Sequence, residues 1–315
     1  MSLSNYELYL QRSSLALPMA IAFLIFGLIG APITLMLLRS TLKLFKKPTG
    51  PHMTICLGIL IFDFTTACIF IVMGLSYIID GEALPLSKWY CNFNDLIYVG
   101  GTFLSIWYVG LMSFERGLQI IHGISLSKKV WIIVMLAELL FFLVINIICF
   151  AYDNVRLVHL GIYCMAAPEK TFGKVILYSY FILSCASVLV TIYSYIGIAI
   201  MLRKRALDLY YSLNIDRETA LKRANRTIIK VLVLLLSYLV LNGLETINVV
   251  IEIITELNRS PLSDFISNCL LNLNPIFNSI LLIQLHDSVK ASLVETYPLL
   301  SKISYVTEFT ERNTA

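Results

Sequence analysis

Apolar residues in this chain come in long blocks cut by short polar intervals, without the one-sided spacing of helices that pack on a soluble core. Crossing a bilayer core of about 30 Å takes roughly 20 apolar residues of helix. Seven stretches qualify, near 15–38, 53–79, 91–121, 130–151, 174–202, 227–255 and 263–285. The pattern predicts an all-α protein, a seven-transmembrane helix bundle over 15–285, preceded by a short segment 1–14 and followed by 286–315. The intervals are short, apart from one of about twenty residues between spans four and five and a basic one from Arg203 to Arg226. After span seven, His286 to Leu300 keeps Val289 and Leu293 at helical spacing with Lys290 and Glu295 between them. That spacing predicts a short helix lying on the membrane surface. No cysteine follows Cys269, so this tail offers no site for acylation.

Composition agrees with lipid as the solvent. The chain is 58% hydrophobic and 14% charged, with mean hydropathy +0.81, whereas soluble domains carry roughly 45–50% apolar and about 25% charged residues. A net charge of +4 is too modest to suggest a nucleic-acid partner. The placement of the basic residues matters more. Of 24 Lys and Arg, 17 fall on the side of the C-terminus and six on the side of the N-terminus, with Arg116 set aside at the end of span three. This asymmetry predicts an N-terminus outside and a C-terminus inside for a multi-pass membrane protein. The first apolar run is too long for a signal peptide and lacks its cleavage pattern. Five cysteines lie in apolar runs, where cysteine behaves as a small hydrophobe; Cys91 and Cys164 lie near loops. Of two Asn-x-Ser/Thr sequons, Asn225 falls inside, and Asn258 falls outside as a candidate for glycosylation.

Several residues then carry a resemblance. Asp63 lies midway along span two; Cys91 opens span three, and Glu115-Arg116-Gly117 closes it 25 residues later; Asn274-Pro275 lies in the inner part of span seven. Together they resemble the rhodopsin-like (class A) G-protein-coupled receptors, in topology over nearly the whole chain and in motifs over spans two, three and seven. The resemblance implies a receptor, not an enzyme, that converts binding of a small-molecule or peptide extracellular ligand into activation of a heterotrimeric G protein. It also implies a disulfide between Cys91 and Cys164, and a coupling switch comprising Glu115, Arg116, Asn274, Pro275 and Asn278. In that switch Glu115 holds Arg116 at rest, and Asn278 stands where the family has a tyrosine. The chain departs from the pattern elsewhere: span five has no proline, span six lacks the Cys-Trp-x-Pro element, and Lys222, Arg223 and Arg226 occupy the low part of span six where many members carry an acid.

The polar residues inside the spans supply the candidate chemistry. A carboxylate at mid-span costs roughly 2.5–3.5 kcal/mol on insertion scales, so Asp63 should face the bundle and find partners. The family binds sodium at this position, which would make Asp63, Ser105 and Asn274 a possible sodium site; a protonated or hydrogen-bonded Asp63 is the other reading. Arg116 is either the family's switch or an interfacial arginine reaching headgroups. Span six carries Asn242, Glu245, Asn248, Glu252 and Glu256 along its outer half, with Glu245 and Glu252 on one face and few Lys or Arg in the outer halves of the spans. These form a pocket wall for a polar or cationic ligand or an interhelical network with Asn268, Asn272 or Tyr98. The candidate ligand-contacting set is Tyr98, Thr102, Glu245, Asn248, Glu252, Asp264 and Asn268. Tyr98 stands where amine receptors carry an aspartate, and Asn268 where opsins hold retinal on a lysine, so no retinal is expected. Two other classes remain. A membrane zinc hydrolase needs clustered histidines, yet neither HxxxH nor HExxH occurs. A transporter would show paired repeats and interrupted helices, and no repeat is evident.

Overall fold

The structure is a computed structural model that describes residues 12–45, 50–79, 87–213, 217–255 and 259–298. Seven helices in it are long and apolar enough to cross a membrane. They are α1 (Ala16–Leu44), α2 (Pro51–Ile79), α3 (Lys88–Ile121), α4 (Lys128–Ala151), α5 (Thr171–Leu213), α6 (Arg217–Thr255), and a seventh in two pieces, α7 (Pro261–Leu271) and α8 (Asn274–Leu285). A last helix, α9 (Asp287–Thr296), follows at once. Its buried Val289 and a hydrogen bond from Ser292 Oγ to the Ser40 carbonyl (2.9 Å) dock it on the end of α1.

The bundle is built around α3, whose most apolar window is 83% buried against 22% for that of α4. Large apolar side chains such as Ile133, Leu140, Leu189 and Leu236 cover the outside, which fits a lipid solvent. Small residues bring helices close, as expected where lipid-like packing replaces the hydrophobic effect. A Cβ on Gly27 would lie 2.8 Å from the Ala67 carbonyl, and one on Gly74 would lie 2.7 Å from that of Ala20, so α1 and α2 meet backbone to backbone.

Three features differ from the sequence expectations. The basic interval after span five is largely helical, since α5 runs to Leu213 and α6 starts at Arg217. Hydropathy marks where lipid ends, whereas backbone hydrogen bonding continues into water through good helix formers such as Ala206 and Leu207. The seventh span is interrupted at Asn272–Leu273, where Pro275 removes a backbone donor. The interval between α4 and α5 holds an antiparallel hairpin, β1 (Val155–Leu157) and β2 (Cys164–Ala166), with Arg156 opposite Met165. Residues 1–11, Glu256, Asn258 and 299–315 lie outside the described residues.

The disulfide joins Cys91 at the start of α3 to Cys164 in β2. It closes a loop across 73 residues of sequence, an effect of roughly 2–4 kcal/mol in the loop-closure account. The hairpin it tethers is tucked into the bundle end, with Leu160, Ile162, Tyr163 and Cys164 buried.

Candidate functional site

Two polar regions stand out, one beneath the hairpin and one at the opposite end of α3. A third, around Asp63, lies between them.

Beneath the hairpin, the span-six acids meet a cation the sequence placed elsewhere. Arg259 lies in the connection just before the Ser260 cap of α7, yet its side chain is buried. Its Nη1 donates to both oxygens of Glu245 (2.8 and 2.7 Å), while Nε and Nη2 donate to the two oxygens of Glu252 (3.1 and 2.6 Å). Asp264 Oδ1 lies 3.5 Å from Nη1, and Nη2 meets Met165 Sδ in β2 at 3.5 Å. The partner of these acids thus comes from a connection, Arg259, and not from the outer half of a span. A position in a connection gives no pattern from which its inward turn could be read.

Aromatic and amide groups complete this cluster. Tyr163 donates to Asp264 Oδ1 (2.6 Å), and Asn268 Nδ2 donates to the same oxygen (2.8 Å). Tyr98 donates to Asn268 Oδ1 and, at 3.2 Å, to Asn272 Oδ1. Asn248 joins α6 to α7 by accepting from Ser263 Oγ at 2.6 Å. Thr102 turns its hydroxyl onto the Tyr98 carbonyl (2.7 Å) within its own helix. The structure thus gathers Tyr98, Glu245, Glu252, Asp264 and Asn268 in one network, with Asn248 and Thr102 hydrogen-bonded beside it. The cavity between Tyr98, Tyr163, Glu245 and Asn268 is only about 10 Å³, roughly one water.

Asp63 is fully satisfied by neighbours on two helices. Its Oδ1 accepts from Ser105 Oγ (2.6 Å), and Asn278 Nδ2 donates to Oδ1 (3.3 Å) and Oδ2 (3.1 Å). Asn274, expected in this set, instead exchanges hydrogen bonds with Asn242 of α6, its Nδ2 donating at 2.8 Å. The interruption of the seventh span accompanies this change: it is Asn278, one turn into α8, that faces Asp63. Asn278 Oδ1 is buried without a hydrogen-bond partner among the described residues. Turning that amide over would present a fourth oxygen beside the two of Asp63 and that of Ser105, so the residues fit a small hard cation.

At the far end of α3, Arg116 Nη2 donates to His286 Nδ1 (2.8 Å), at the junction of α8 and α9. The imidazole stacks on His52 at 5.1 Å and approaches Cys56 Sγ at 3.4 Å. Burial, reinforced by the Arg116 and His52 charges, holds the His286 pKa well below its ordinary value, so the ring is neutral and accepts from the guanidinium. Glu115 is buried, and its Oε2 has no hydrogen-bond partner among the described residues. Sequence reading missed His286 in this role, although its place 25 residues past the Pro261 start of the seventh span puts it beside the end of α3. Asn274 and Pro275 open the last piece of that span, and the Asp63 and Arg116 clusters both lie between it and α3.

Asp95 is a second residue the sequence reading passed over. It opens a π-helical turn, Asp95–Val99, within α3, and is fully buried with neither oxygen hydrogen-bonded among the described residues. Such turns often mark functional positions. An unpaired buried polar group costs about 1–3 kcal/mol by mutational measures. Asp95→Leu is therefore expected to raise the melting temperature of the purified protein. A fall would show that Asp95 has a partner in the bilayer that compensates its burial.

The fold is a bundle of seven helices long and apolar enough to cross a membrane, with a disulfide-tethered hairpin at one end. Among solved structures, the chain is similar to the crystal structure of squid rhodopsin, with TM-score 0.65 and 16% sequence identity over 94% of this chain and 90% of that chain. At that identity the likeness is one of fold. No family model and no curated protein matches the chain.

Proposed function

We propose that this chain is a G-protein-coupled receptor of the plasma membrane. The disulfide end faces outside and takes a small-molecule or peptide ligand, and the Arg116 end faces a heterotrimeric G protein inside. The observation that carries this reading is the placement of Arg116. It ends the central helix at the face opposite the tethered hairpin, and a neutral imidazole from the last transmembrane junction holds it. A guanidinium in that position offers rigid donors to the carbonyls of a docking helix once the imidazole is withdrawn. Ligand and G protein then act on one equilibrium from its two ends, each favouring the conformation the other prefers.

Retinal has no part in this reading, since the resemblance puts Asn268, whose amide cannot form a Schiff base, where opsins hold retinal on a lysine. A sodium ion, where bound, would be held by Asp63, Ser105 and Asn278 and would favour the resting packing of α2, α3 and α8. The test is guanine-nucleotide exchange on a panel of heterotrimers by the protein in lipid nanodiscs, with and without a ligand library. Acceleration over empty nanodiscs by at least one heterotrimer is expected. Absence of exchange across the whole panel, together with solute uptake by proteoliposomes or bound zinc, would move the chain to a transporter or a membrane hydrolase.

A further inference from the structure

The cluster beneath the hairpin has more acid than base. Glu245 and Glu252 each spend both oxygens on the Arg259 guanidinium, and Asp264 accepts from Tyr163 and Asn268 while lying 3.5 Å from the same cation. Glu245 and Glu252 accept through both oxygens, the geometry of anions, and among the described residues one cation sits between them. The guanidinium also fills the space: what remains beside Glu245 is a cavity of about 10 Å³, closed by Tyr98, Tyr163 and Met165. Arg259 itself belongs to no helix. It reaches the acids through a flexible stem and can leave without breaking a helical turn.

We propose that Arg259 is the resident occupant of a cation site built by Glu245, Glu252 and Asp264, and that the extracellular ligand carries a guanidinium or ammonium group that takes its place. The word ligand rests on the receptor reading above; the cation site does not. Exchange of one cation for another leaves the buried charge unchanged and gives Arg259 back to water. An anionic ligand paired with Arg259 would instead add to the excess of negative charge. Two carboxylates that grip one guanidinium from adjacent edges favour a planar fork of donors over a compact ammonium. Arg259 is tethered and competes at high effective concentration, so a displacing ligand needs further contacts, with the hairpin and Tyr98 as the nearest surfaces.

Vacating the site exposes it to a simple probe. In purified Arg259→Ala, methylguanidinium chloride is expected to raise the apparent melting temperature saturably, by about 3 °C or more, relative to sodium chloride at equal ionic strength. Methylammonium should give a smaller rise, and the parent protein, whose site is filled, a shift below about 1 °C at the same concentrations. The rise should vanish when Glu245→Gln and Glu252→Gln are added to Arg259→Ala. Should Arg259→Ala fail to fold, Arg259→Gln keeps the side chain's length without its charge and carries the same titration. No saturable rise in the vacated variant, or an equal rise in the chain without the acids, overturns the cation site. Melting reads binding without a G protein, so that failure leaves the receptor reading standing. Loss of nucleotide exchange with methylguanidinium binding retained would remove the receptor reading and leave the site.

Discussion

Glu245→Gln combined with Glu252→Gln is expected to cost on the order of 3–5 kcal/mol, the usual penalty for stranding one partner of a buried ion pair. Four of the guanidinium's contacts go to these two carboxylates, between 2.6 and 3.1 Å, and the side chains of all three residues are only 5–6% exposed. Without them, Arg259 keeps one carboxylate at 3.5 Å. The loss should appear as a lower melting temperature and less monodisperse protein. Adding Arg259→Met to the same chain should recover much of it, because replacing an entire buried ion cluster with apolar groups is often neutral or stabilising. The three substitutions would then be strongly non-additive, as groups within one network are. If the doubly substituted protein keeps its melting temperature and only its ligand response falls, the acids are an open pocket wall and the ion network contributes little.

At the opposite end, Arg116→Ala is expected to reduce nucleotide exchange at least tenfold at unchanged expression, about 1.4 kcal/mol of coupling free energy. His286→Ala should move the other way and raise ligand-free exchange. A hydrogen bond to a charged group contributes about 1.5–3 kcal/mol. If the Arg116–His286 bond exists only in the resting conformation, its loss shifts the equilibrium toward the coupling conformation by roughly tenfold or more. Glu115→Gln should also raise basal activity to the extent that Glu115 restrains its neighbour, and comparing the two variants ranks the restraints. Arg116→Lys separates switch from anchor, since a side chain that merely reaches headgroups tolerates lysine without loss of signal. Exchange by Arg116→Ala equal to the parent on every heterotrimer would end the class A mechanism and leave the seven-helix topology.

The His286 contact also has a pH dependence with a definite sign. Its imidazole pKa lies below the ordinary value in the folded protein, with burial the largest cause. The folded state therefore binds fewer protons than the unfolded chain. Stability linked to this residue is full above the ordinary imidazole range and declines as pH falls through and below it. Over the physiological range the ring stays neutral and the contact persists.

The sequence by itself determined the seven spans, because crossing lipid requires long apolar runs whose backbone groups are satisfied within each helix. It also determined that Asp63, Glu245 and Glu252 would face protein, since a carboxylate cannot face hydrocarbon cheaply. Cys91 and Cys164 stood apart as the cysteines near loops, and the family resemblance implied their disulfide. Partners were another matter. Whether Arg259 stays in water or turns inward depends on three acids from two helices converging at one point, which no local pattern encodes. The break before Asn274 places Asn278, not Asn274, against Asp63, and a one-turn exchange of roles leaves helical periodicity unchanged. Arg116 and His286 are 170 residues apart and meet only because the seventh span returns beside the end of α3. Asp95 shows the same limit: it is buried in a π-helical turn with neither oxygen hydrogen-bonded among the described residues, which no spacing in the sequence foretells. Periodicity and transfer energy act along one helix and so are legible in order of residues; hydrogen-bond partners are set by the packing of separate helices, and only the tertiary structure decides them.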